Sequence, residues 1–339
     1  MKNLSEIINR FKEINVLVVG DVMMDEFVWG EVTRISPEAP VPIVEVVSQS
    51  FIPGGAANVA NNIMSLGGKV ALIGVIGNDG IGRKLSFELG IKHISVDKLV
   101  VDYERPTILK SRIIASQQQI VRVDKELRKP IGEEIEAKVI ANIEEQMAEV
   151  NIIVISDYGK GVITKNLVEK IVNLSQRDHK KVIVDPKVEN YLEYKEITLI
   201  TPNLKEASEM SKINIKSLED LVAAGDKILN DLSCKVAVIT RGKEGMSIFE
   251  KEKTAIHIPT IAKEVYDVAG AGDTVVSVMA LALALDLDFV NAAILANCAA
   301  GIVVGKTGTA TVTPLELTAN IETISQLRSV VAKQRGDGQ

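Results

Sequence analysis

Six short runs rich in β-branched residues recur along the chain: NVLVVGD (15–21), KVALIGVIG (69–77), NIIVISD (151–157), KVIVDP (181–186), ITLITPN (197–203) and VAVITRG (236–242). Between most of them lie segments with the apolar spacing of a helix, at 58–66, 80–89, 133–149, 165–176 and 217–232. Strand–helix alternation of this kind predicts an α/β fold, a mostly parallel sheet with helices on both faces. The runs are almost continuously Val and Ile, as strands covered on both sides should be.

Two stretches break the alternation. Residues 27–47 and 105–124 mix polar and apolar strand formers without an intervening helix, which predicts a small antiparallel sheet standing off the main one as a lid. Residues 1–326 then form one unit, and SVVAKQRGDGQ leads into a tail or linker over 327–339.

Each main run ends in polar residues: Asp21, Asp157, Asp185 with Lys187, Asn203, and Thr240 with Arg241. In an open α/β sheet the ligand crevice lies beyond the carboxyl ends of the strands, so these residues converge on one site. Read singly, each is also an ordinary strand-end or helix-cap residue. A net charge of −6 gives no global footprint for nucleic acid or an anionic membrane, so an anionic ligand must meet a local basic cluster. The N-terminus interrupts its apolar residues with charges, which argues against a signal peptide or anchor. The apolar stretch 274–304 is broken by Asp286, Asp288 and Asn291, so two buried helices explain it better than a membrane span. Cys234 and Cys298 are expected to be reduced core thiols of a cytoplasmic protein.

DVAGAGDTV, residues 267–275, carries the sharpest chemical signal. A helix starting near Gly270 presents unpaired N–H groups and its positive end, and Gly270 and Gly272 let an anion approach the backbone around Ala271. A carboxylate there repels phosphate unless it has a task, and Asp273 can accept the proton of a hydroxyl attacking phosphorus. The bland alternative makes Asp273 a helix cap. Upstream, FIPGGAANVANNIMSLGG (51–68) sets Gly54 and Gly55 before a helix bearing Asn58, leaving room for a polyol against the backbone. In TPNLKEASEM (201–210), Asn203 and Glu206 either hold magnesium-bound waters or form a helix capping box. GVIGNDGIGR (74–83) grazes a dinucleotide pattern, but its spacing is wrong and no tight strand-to-helix entry is expected after it.

Taken together, these segments resemble the ribokinase-like, or PfkB, carbohydrate kinases over essentially the whole chain. VVGDVMMDEFVWGEVTRISPEAPVPIVEV, PGGAANVANNI, RIIASQQQIVRVD, ISDYGKGVI and EVYDVAGAGDTV bring the resemblance closest to the heptose 7-phosphate kinases of lipopolysaccharide-core precursor synthesis. The resemblance implies a three-layer ribokinase-like sandwich with a small antiparallel lid. It implies ATP as phosphoryl donor, Mg2+ held through water by Glu206, and a monovalent cation such as K+. In this reading Asp273 is the base and Gly270, Ala271 and Gly272 form the anion hole. Asn203, Leu204, Lys205, Glu206, Thr240, Arg241, Gly242, Gly245 and Asn297 serve the nucleotide.

Asp21, Asp25, Gly54, Gly55 and Asn58 meet the sugar, with Asp185 beside them. Arg34, Lys110, Arg112, Arg122, Lys160 and Lys187 are the candidate cations for a substrate phosphate, in competition with surface salt bridges. Ala269 stands where the family usually has Thr. The implied reaction is phosphorylation of the anomeric hydroxyl of a heptose 7-phosphate; another sugar kinase, or a sugar-sensing module without catalysis, stays open. A homodimer through the lid is expected, because pairing would cover its strand edges. Related proteins often continue into an adenylyltransferase domain, so the chain reads as a single-domain kinase or as the kinase half of a bifunctional enzyme.

Overall fold

The computed structural model describes residues 4–116, 118–262, 265–306 and 308–336. In chain order its strands are β1 (Asn15–Gly20), β2 (Val22–Ile35), β3 (Pro42–Gly55), β4 (Lys69–Gly77), β5 (Leu99–Asp102), β6 (Ile108–Ala115), β7 (Gln118–Lys125), β8 (Ile152–Ser156), β9 (Lys181–Asp185), β10 (Leu199–Ile200), β11 (Val236–Thr240), β12 (Met246–Glu250) and β13 (Ile256–Ile258). Among the described residues, nine form a sheet in the order β13-β12-β11-β10-β9-β8-β1-β4-β5. All pairings from β11 to β5 are parallel, and β12 and β13 add antiparallel strands at one edge. All six β-branched runs of the sequence are strands of this sheet.

Neighbouring residues of one strand enter different cores. Val16 and Val18 of β1 join the cluster under the Ala56–Ser65, Ala271–Ala284 and Phe289–Val303 helices, whereas Leu17 and Val19 join the one under Glu133–Gln146, Lys165–Arg177 and Leu218–Leu232. Because successive side chains point to opposite faces, a strand buried on both sides needs apolar residues at every position. Thr164 and Ser217 start two of these helices, accepting from the amides of Leu167 and Asp220 at 3.1 and 3.2 Å. The stretch 274–304 is indeed two helices, with Asp288 capping the second, and Cys234 and Cys298 are buried free thiols.

The lid is a four-stranded sheet, β3-β2-β6-β7. Two of its pairings are antiparallel as expected, but the central pair β2–β6 is parallel. The reason is connectivity: β2 follows β1 and β6 follows β5, so both leave the same edge of the main sheet and run outward together. The β2–β3 hairpin also begins earlier and ends later than 27–47. Val22 pairs with Gly55 at its base, so Asp25, Gly54 and Gly55 belong to the lid's root.

Two further expectations are corrected. The segment from 327 is not a frayed tail in the described residues: it continues the Ile321–Gly336 helix, with Leu327 and Val331 buried against the first core. Residues 337–339 lie outside the described residues. A tight strand-to-helix entry does follow β4, with the helix starting at Gly80, but the Asp79 carboxylate accepts from the amides of Gly82 and Thr107 at 2.8 and 3.1 Å. That helix start is therefore already capped by an anion of the chain itself.

Candidate active site

The polar ends of β1, β8, β9 and β11 lie along one edge of the main sheet, and the Ala271–Ala284 helix opens against that edge. Gly270 precedes it in a left-handed conformation (φ 80°), which lets the chain turn sharply into the helix without a side-chain cap. Asp273 is the third helical residue and is buried. Its carboxylate bonds to other elements rather than to the helix's own amides: Oδ2 accepts from Asn58 Nδ2 at 2.5 Å and Oδ1 from Tyr158 Oη at 2.7 Å. The helix-cap alternative for Asp273 is thereby set aside. Thr274 bonds Asn62 at 2.8 Å and Ser277 bonds the Asp273 carbonyl at 2.6 Å, fixing the first turn. Burial pushes the Asp273 acid up to about 6, against the pull of the two donors. Asn58 keeps one buried acceptor, Oδ1, without a partner.

Two cavities adjoin at this point. One, of about 170 Å³, is lined by Asp157, Tyr158, Asp185, Lys187, Glu206 and Asp273 among others. The second, of about 410 Å³, is more apolar, with Val265, Val268, Val275 and Val304 facing Thr240, Gly242, Gly245 and Asn297. Thr240 and Gly272 line both. A Cβ on Gly272 would meet nothing within 4 Å, so the backbone here faces open space. The Ala271 amide already reaches the Val268 carbonyl at 3.3 Å, which leaves Gly272 as the better donor to an anion at the junction.

Several residues assigned from the sequence lie at or beside these cavities or at the root of the lid. Thr240 ends β11; Gly242 and Gly245, both at positive φ, shape the turn beside the larger cavity; Asn297 anchors Pro259 on its wall at 2.7 Å. Gly54 is required: its Cβ would fall 2.2 Å from Asp25 Oδ2, and at Gly55 (φ 58°) a Cβ would strike the Asp21 carbonyl at 2.4 Å. Asp185 and Lys187 line the smaller cavity. Burial, with Asp273 and Glu206 nearby, raises the Asp185 acid well above the usual range.

Others are engaged within the protein. Asp21 is wholly buried and accepts from the amides of Tyr158, Lys160 and Val162 at 2.9, 3.0 and 3.2 Å, so it holds a loop instead of facing a sugar. Asn203 and Glu206 form the capping box, though Glu206 also lies 3.5 Å from Lys187 and lines the cavity. Leu204 packs into the second core and Lys205 is exposed beside Glu209, so neither is placed at the cavities. Arg241 folds back on the Glu244 carbonyl at 3.0 Å.

Among the candidate cations, Arg112 pairs with Asp25 at 2.5 Å, and Lys160 with Glu126 at 2.9 Å. Lys110 lies 3.7 Å from both Asp124 and Glu126, and burial beside Lys160 lowers its basicity. Arg122 pairs with Asp124 on the lid, and Arg34 lies exposed near the far end of β2. Tyr158 was missed as a site residue; its signal is its place in ISDYGKGVI, one residue past the strand-end Asp157.

A family profile described as pfkB family carbohydrate kinase matches residues 13–316. The chain belongs to the pfkB family of carbohydrate kinases. It is 45% identical over 316 residues to the bifunctional protein HldE of Geobacter metallireducens, covering 93% of this chain and 64% of that one. A second bifunctional protein HldE, from Geotalea uraniireducens, is 45% identical over 94% of this chain and 65% of its own length. The chain therefore spans slightly less than two thirds of these relatives. The fold matches phosphofructokinase-2 from Escherichia coli in complex with potassium, with a TM-score of 0.76 at 21% identity over 92% of this chain and 99% of that one. It also matches Arabidopsis thaliana ribokinase complexed with ribose and ATP, with a TM-score of 0.71 at 18% identity over 90% and 97%. Both show a ribokinase-like fold for this pfkB-family chain. No helix among its described residues is long and apolar enough to cross a membrane.

Proposed function

We infer that the chain transfers the γ-phosphoryl group of ATP to the anomeric hydroxyl of D-glycero-β-D-manno-heptose 7-phosphate, giving the 1,7-bisphosphate and ADP. The observation that carries this reading is the buried Asp273 carboxylate, held by two donors where the two cavities meet. The larger, partly apolar cavity suits a nucleotide base and ribose. The Gly272 amide at the helix start suits the phosphate end, and the unpartnered Asn58 Oδ1 beside Asp273 suits a sugar hydroxyl. Asp273 takes the hydroxyl proton as the oxygen bonds to phosphorus and the bond to the ADP oxygen breaks, so positioning and charge neutralisation carry most of the rate. An acid titrating near 6 is ionised at neutral pH yet basic enough for that transfer.

Among the described residues no cluster of three His, Cys, Asp or Glu side chains could hold a metal by itself. Magnesium would thus arrive with the nucleotide and neutralise phosphate charge, with Glu206 holding it through water. The reading also includes a monovalent cation such as K+ as an aid, a cytoplasmic location, a lid-mediated homodimer, and an adenylyltransferase acting on the product. The heptose is favoured by the 45% identity to the HldE proteins. The test is ATP consumption across heptose 7-phosphate, fructose 6-phosphate and ribose. Turnover with the heptose phosphate at least about 100-fold above the others is the expected result, since a missing polar partner costs that much discrimination. Preference for another sugar would replace the substrate, and no turnover with any would leave a sensing module.

A further inference from the structure

Resting on the proposed kinase reading, we propose that Tyr158 is a positioning residue for Asp273, its phenol fixing the orientation and proton affinity of the carboxylate that receives the substrate proton. The geometry points there from both ends of the contact. At one end, Tyr158 Oη donates to Asp273 Oδ1 at 2.7 Å while Asn58 Nδ2 donates to Oδ2 at 2.5 Å. Each carboxylate oxygen is gripped by a different element, so the group cannot rotate about its terminal torsion, yet each oxygen keeps a lone-pair direction for a substrate hydroxyl.

At the other end, the loop bearing Tyr158 is clamped. Asp21 collects three of its amides, and Asp157 Oδ1 accepts from Gly159 at 2.7 Å. Gly161 (φ 93°) passes so close to Lys129 that a Cβ would fall 2.0 Å from its carbonyl oxygen. Burying a carboxylate such as Asp21 is unfavourable, and burial with Asp157 nearby raises its acid to about 6. The fold nonetheless places it where it fixes the loop whose Tyr158 side chain reaches Asp273.

The other charged groups facing this contact are Asp25 at the root of the lid, paired with Arg112 from β6, and Asp185 at the end of β9, with Lys187 beside it. Asp25 disfavours the ionised state of Asp273, so the two neutral donors are what keep it available as a base. A phenol that merely filled space would not have this effect.

The test uses Tyr158→Phe in the full chain, reading both turnover against pH and the Asp273 carboxyl titration by 13C NMR or difference infrared spectroscopy without substrate. The expected result is an acid limb of kcat and a carboxyl midpoint both moved up by about one pH unit. Plateau kcat should fall about 10-fold, with sugar and ATP KM within about twofold. Replacing Tyr158 by 3-fluorotyrosine, a more acidic phenol that keeps the ring, should move both in the opposite direction. That arm remains informative if the Phe variant fails to fold. Limb and midpoint superimposing on the wild type, or a rise in KM alone, would overturn the proposal. Absence of turnover in the wild type would count against the kinase reading instead, while the carboxyl titration would still test Tyr158.

Discussion

At the scale of single residues, the site trades stability for chemistry. The Asp273 acid sits at about 6 in the folded chain because burial disfavours its charge, against 3.8 for the free group. Its pKa is raised on folding, so its favourable contribution is fully present below about pH 4 and is lost as pH rises through about 6. At pH 8 the ionised carboxylate opposes folding by up to about 3 kcal/mol, at about 1.4 kcal/mol per pKa unit. Asp273→Asn removes the charge, and Asn58 can turn its unpartnered Oδ1 toward the new amide. We predict a higher Tm for this variant at pH 8, corresponding to roughly 1–3 kcal/mol, with the gap closing between pH 6 and pH 4. Equal or lower stability at pH 8, measured by calorimetry, would contradict this account of the buried charge. The sequence exposed Asp273 through its glycine-rich approach. It could not expose Asp21 as a loop clamp, because a carboxylate bonded to three amides reads the same as one facing solvent.

At the scale of elements, the lid shows what periodicity can and cannot give. The alternating strands of 27–47 and 105–124 announced a sheet exposed on one side, and their pairing partners were the part left undetermined. β2 and β6 are far apart in sequence, and their parallel pairing follows only once both are seen to leave the same edge of the main sheet. The outer strands, β3 and β7, carry exposed apolar side chains: Val46 and Val47 on one, Ile120, Val121 and Val123 on the other. Open edges with such residues favour pairing with a second copy. Light scattering at micromolar concentration should therefore return about twice the 36.7 kDa chain mass. Val47→Lys combined with Val121→Lys should shift the population toward monomer, because charged edges resist pairing. A wild-type monomer under the same conditions would rule out the lid dimer.

At the scale of the whole molecule, the parallel sheet gathers residues from 21 to 273 onto one edge, and that convergence was legible because every main run ended in polar residues. The division of labour among them was not, since it depends on which side chains find partners inside the protein. Asp21 and Arg241 are committed internally, whereas Tyr158, Asp185 and Asp273 line the cavity, as do Asn203 and Glu206 while also capping their helix. The account's central claim is that two cavities bring a nucleotide and a sugar together at one proton-accepting carboxylate. The most direct measurement pairs binding with turnover in Asp273→Asn: titration calorimetry for ATP and heptose 7-phosphate, and steady-state kinetics on the same preparation. The account predicts both affinities within about threefold of wild type and kcat lower by at least about 100-fold. Turnover within about threefold of wild type, with binding intact, would contradict it.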